Sequence, residues 1–130
     1  MKNITYKNKI IAIIIPSEYS EDGIHFFTPD EYSQQLAYMK RSKEYKIQPH
    51  THNLVQREVV NTLETLFIKK GKVRVDFYSQ EKEFIESYIL KTGDVLLLVS
   101  GGHGFEMLEE TEMIEVKQGP YMGDQDKVRF

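Results

Sequence analysis

The chain has 130 residues and a mass of 15.3 kDa. That is the size of one domain at roughly 100–200 residues each, so residues 1–130 are read as a single domain. With 40% apolar and 28% charged residues, the composition is that of a folded globular protein and excludes disorder. A net charge of −3 and a pI near 5.8 argue against a nucleic-acid binder, which needs a basic surface. The absence of cysteine excludes a disulfide scaffold, a zinc finger and thiol chemistry, so any metal must be held by nitrogen and oxygen.

The longest apolar run, Ile10–Ile15, is far shorter than the roughly 20 residues a membrane-spanning helix needs. It is β-branched, no small-residue cleavage site follows it, and it reads as a strand ending at Pro16. No membrane partner is expected, and the expected location is the cytoplasm. Ser17–Gly23 reads as a polar loop. Thr28-Pro29-Asp30-Glu31 has the form of a capping box with proline at the first helical position, which predicts one short helical turn. The alternation that follows predicts a strand over Gln34–Arg41, a turn over Ser42–Glu44 and a short strand over Tyr45–Pro49.

Leu66–Lys69 and Lys72–Tyr78 flank Lys70-Gly71 and read as a hairpin. In the second arm Val73, Val75 and Phe77 alternate with Lys72, Arg74 and Asp76, the pattern of a half-buried strand. Strands are predicted at Phe84–Leu90, at Val95–Val99 (uniformly apolar, hence buried on both faces), at Phe105–Leu108 and at Thr111–Lys117. Gly93 suits the intervening turn. The glutamates from Glu109 to Glu112 read as a solvated hairpin turn, and the tail from Gly119 to Phe130 is rich in turn formers. Short strands at regular spacing predict an all-β sandwich or barrel.

The chain has four histidines, two of them in His50-Thr51-His52. On a strand, residues i and i+2 face the same side, so this pair predicts two imidazoles aimed into one space. Imidazole suits Zn, Cu, Fe and Ni, and an added carboxylate makes the open site of non-haem iron enzymes. The lone His25 beside a turn reads as structural.

Here the sequence resembles the cupin superfamily. Its first motif, His-x-His, a spacer, then Glu, six residues and Gly, is matched by His50-Thr51-His52, Glu64 and Gly71. The second motif, a Gly-Asp turn followed by an apolar run and a histidine, is matched by Gly93-Asp94 and His103. The likeness covers Gln48–Leu108. Eleven residues separate His52 from Glu64, longer than the family's usual spacer, and the excess is expected to form a loop over the barrel mouth. Glu58 lies in that stretch as a second candidate carboxylate, while Glu64 is favoured by its register with Gly71.

The resemblance implies a jelly-roll barrel, the double-stranded β-helix, with one divalent transition metal (Fe, Mn, Ni or Zn) bound by His50, His52, Glu64 and His103. Tyr38, Glu58, Phe67 and Phe105 are the candidate pocket residues, with core packing the alternative for the aromatics. Three functions are open on this reading. One is a metal-binding protein with a small-molecule ligand in the barrel, of the kind linked to polysaccharide or nucleotide-sugar pathways. Another is an enzyme, either an Fe-dependent dioxygenase or a nucleotide-sugar isomerase or epimerase using Lys40 and Arg57 to hold a diphosphate. The third is a non-catalytic ligand sensor. A homodimer is expected, with Ile10–Ile15 and Pro120–Phe130 as the expected contact segments.

Overall fold

The computed structural model describes all 130 residues. Ten strands account for nearly all of its regular structure: β1 (Lys2–Tyr6), β2 (Lys9–Ile15), β3 (Gly23–Phe26), β4 (Ala37–Lys40), β5 (Glu64–Lys70), β6 (Lys72–Tyr78), β7 (Phe84–Lys91), β8 (Val95–Leu98), β9 (Gly102–Met107) and β10 (Glu112–Lys117). One 3₁₀ turn follows at Gly123–Asp126. The protein is all-β, with three antiparallel sheets, none closed into a barrel: a five-stranded sheet in the order β1-β2-β8-β5-β10, a three-stranded sheet β7-β6-β9, and the hairpin β3-β4. No helix is long and apolar enough to cross a membrane.

The chain falls into two compact units, Met1–Tyr19 with Asn61–Phe130, and Ser20–Val60. In the first, the five-stranded and three-stranded sheets share one apolar core. The period of two along each strand decides who enters it. Leu66 and Ile68 of β5, Ile14 of β2, and Leu96 and Leu98 of β8 meet Val73, Val75 and Phe77 of β6 and Leu90 of β7. Ile13 and Leu97, opposite one another on the other face of β2 and β8, are buried as well. The uniformly apolar β8 is therefore covered on both faces, as its sequence predicts.

Two turns fix the register. Gly71 joins β5 to β6 at φ +108°, where a Cβ would stand 2.5 Å from the Glu110 carbonyl oxygen. At the β7–β8 turn, Asp94 is buried, and its carboxylate accepts the backbone N–H groups of Ser17 and Lys91, each at 2.8 Å. The Gly-Asp pair is thus a clamp between that turn and the end of β2.

The second unit is less regular. β3 and β4 pair with His25 opposite Tyr38. The predicted helical turn at Thr28–Glu31 is a single tight turn closed by Tyr32 N–H donating to the Pro29 carbonyl at 3.1 Å. Thr28 does not cap a helix. Its hydroxyl donates to Gln35 Oε1, and the Gln35 amide binds the carbonyls of Pro29, Asp30 and Tyr32. The strand predicted over Gln34–Arg41 shortens to β4. No strand forms at Tyr45–Pro49: no strand is present between β4 and β5, and the segment's valines and Leu54 are exposed.

Candidate functional site

Glu64 opens β5 in phase with Leu66 and Ile68, so the alternation that buries those two also turns the carboxylate inward. It is 8% exposed. His103 lies on β9 directly opposite Phe77, with Phe105 two residues on and in phase with it. The two sheets thereby bring Glu64 Oε2 and His103 Nε2 to 3.5 Å. The Phe105 ring stands edge-on to the His103 ring, with centroids 5.6 Å apart, and packs against the core.

Lys117 is the third member of this group, and the sequence reading missed it. It lies directly opposite Glu64 in the β5–β10 ladder, and its ammonium is 3.1 Å from Glu64 Oε1. Asp126, on the 3₁₀ turn, lies 3.8 Å from the same ammonium and accepts a hydrogen bond from the Thr62 hydroxyl. The His103 ring, then the Lys117 ammonium, hold the Glu64 carboxyl at about 2 against an ordinary 4.5, overcoming the burial that would raise it. The carboxylate in turn raises the affinity of Lys117 for its proton. Behind His103, Gly102 permits a close approach: a Cβ there would meet the Phe130 ring at 2.8 Å.

His50 and His52 lie in the irregular part of the second unit. Their rings are T-shaped to one another with centroids 5.3 Å apart, so the two imidazoles are neighbours without strand geometry. His50 Nδ1 donates to the Gln48 carbonyl at 2.9 Å. In the neutral ring this leaves the lone pair on Nε2, the arrangement of a metal-binding imidazole oriented by a backbone acceptor. In the first unit the donor chemistry is that of a metal ligand pair, an ionised, buried carboxylate with a histidine beside it; in the second, a histidine pair has one tautomer set by its backbone acceptor. Within either unit, no three histidine or carboxylate side chains stand together as a metal-binding group.

Of the pocket candidates, Phe105 lies beside His103, while Phe67 occupies the opposite face of β5 from Glu64 and is 40% exposed. Glu58 is exposed, and Tyr38 is half-buried on β4. The cations proposed for a diphosphate are engaged locally: Lys40 pairs with Asp22 at 3.2 Å, and Arg57 reaches the Val55 carbonyl. His25 donates through Nε2 to the Asp22 carbonyl at 2.8 Å, a structural contact.

β2 is flanked by β1 and β8, so Ile10–Ile15 offers no edge for a dimer contact, and the free edges of the five-stranded sheet are β1 and β10.

No protein-family model matches the chain, and no curated protein or solved structure matches it.

Proposed function

We propose that the protein is a cupin-like, double-stranded β-helix protein that binds one divalent transition metal at Glu64 and His103 and takes a small-molecule ligand beside it. The observation that carries the reading is the meeting of Glu64 and His103 at 3.5 Å. These two are 39 positions apart, and they stand at the ligand positions of the two separate motifs that the cupin resemblance implies. A metal bound there would supply Lewis acidity at open coordination positions. The chain's own contribution is an ionised carboxylate shielded from bulk water with the His103 imidazole beside it.

The test is metal content by elemental analysis on tag-free protein, beside the E64Q and H103A variants. Near-stoichiometric metal in the wild type that is lost in both variants supports the site. No uptake after anaerobic reconstitution with Fe(II), Mn(II), Ni(II) or Zn(II) would remove it. The same Glu64–His103 contact supports a second, metal-free reading, in which Glu64 orients His103 as the acid–base group of a sugar isomerase or epimerase. Turnover of a keto-sugar substrate in the presence of chelator, abolished in H103A, distinguishes it. A homodimer through β1 or β10 belongs to the same proposal, and a monomeric mass at micromolar concentration would exclude it.

A further inference from the structure

We infer that Lys117 is a positioning residue that balances the charge of Glu64, occupying one of its carboxylate oxygens, so that it opposes a divalent cation at this centre and sets its affinity. This rests on the metal-binding reading above.

Three observations carry it. The first is placement. Lys117 is the direct cross-strand neighbour of Glu64 on β10, on the face that turns inward, with three-quarters of its side chain covered. A long cation in that phase of a strand covers a specific partner rather than a solvated surface. The second is division of labour on the carboxylate: Oε1 faces the ammonium at 3.1 Å and Oε2 faces His103 at 3.5 Å. A cation sharing Oε2 with His103 would leave Lys117 on Oε1. The third is anchoring. Asp126 stands on the far side of the ammonium at 3.8 Å and is itself held by Thr62, while Glu115 adds its field two residues earlier on β10. Lys117 is thus held between two carboxylates.

A divalent ion on Glu64 would sit a few ångströms from this fixed positive charge. At the effective dielectric of a partly buried site, the repulsion lowers cation affinity by on the order of tenfold or more. The expected effect of removing the ammonium is therefore tighter metal binding, opposite in sign to the loss of a ligand. The metal-free protein responds the other way, because a buried carboxylate then keeps only His103.

The experiment is a titration of the chelator-stripped full-length chain with Zn(II) alone against a competing chromophoric chelator. It compares wild type, K117M, K117R and H103A, with thermal unfolding of each metal-free form. K117M should bind Zn(II) about tenfold tighter or more while its metal-free form melts lower, K117R should stay near wild type, and H103A should bind weaker. Equal or weaker binding by K117M beside a wild type that binds would overturn this inference and leave the metal site standing. A wild type that takes up neither Zn(II) nor, in the same titration run anaerobically, Fe(II), Mn(II) or Ni(II) overturns the metal reading and this inference with it. Should K117M fail to fold, D126N replaces it. Without the second carboxylate on the ammonium, Zn(II) affinity should fall, and an unchanged affinity overturns the inference.

Discussion

Replacing Glu64 by Gln isolates the electrostatics of the centre from any metal. The amide keeps the shape of the side chain and loses its charge. In the folded protein the carboxyl is held at about 2 against 4.5, first by His103 and then by Lys117. A carboxyl depressed by folding contributes its stabilisation fully above the unfolded value near 4.5, and loses it as pH falls toward about 2. The displacement corresponds to about 3 kcal/mol. The side chain is 11% exposed, so solvent screening removes only a small share of that. At neutral pH, in chelator, E64Q should therefore be less stable than wild type by about 2–3 kcal/mol, and the gap should close as pH falls from about 5 to about 2. Urea unfolding followed by far-UV circular dichroism at several pH values measures both quantities. Parallel stability curves for wild type and E64Q across that window would refute the reasoning, since they would mean that the folded carboxyl titrates as it does in the unfolded chain.

Asp94→Ala leaves the part-buried N–H groups of Ser17 and Lys91 without their carboxylate acceptor and should cost about 1–3 kcal/mol in urea unfolding, with Asp94→Asn recovering part of it. Gly71→Ala places a Cβ 2.5 Å from the Glu110 carbonyl oxygen in a left-handed backbone and should cost about 1–3 kcal/mol, read as a lower melting temperature. Phe77 is fully buried in the shared core, and Phe77→Ala should cost about 3–5 kcal/mol without changing the strand content seen by circular dichroism, provided the variant remains folded.

Where the chain's alternation is strict, its sequence was enough to locate the strands. β6 repeats valine, valine and phenylalanine in one phase against lysine, arginine and aspartate in the other, and it forms where expected. β8 has no polar phase, and it is the strand covered on both sides. β1 and β3 escaped because each is short and carries few apolar residues, so pairing with a neighbour, rather than the pattern itself, makes them strands. Tyr45–Pro49 shows the converse: it has strand-like alternation but no partner to complete a ladder. β10 misleads in a different way. Its apolar residues Ile114 and Val116 are 53% and 60% exposed, while Met113, Glu115 and Lys117 share the opposite phase. Hydrophobicity alone would turn Lys117 outward.

That inversion has a cause in the site. Glu64 must face inward for β5 to keep Leu66 and Ile68 in the core, and a buried carboxylate without a cation is costly. Across its two ladders Glu64 faces Leu98 on β8 and Lys117 on β10, so the antiparallel register makes Lys117 the cation that stands directly opposite it in the sheet. The signal was therefore present in the sequence, but only as a pair: an acidic residue in the apolar phase of one strand and a basic residue in the apolar-facing phase of another. Either alone reads as a surface charge. Pairing requires the register, and the register comes from the Gly71 turn and the return of β10 alongside β5, a contact between segments some fifty positions apart. The motif histidine His103 then meets the same carboxylate from the other sheet. One buried acid thus joins both sheets of the core through two partners of different kind, an imidazole and an ammonium. A centre built this way ties the register of β10 to the charge on Glu64, so E64Q should weaken protection of the β5–β10 amides in hydrogen exchange more than that of the β1–β2 amides at the far edge of the same sheet. Equal loss of protection at both edges would mean that the carboxylate stabilises the fold as a whole and does not set this ladder.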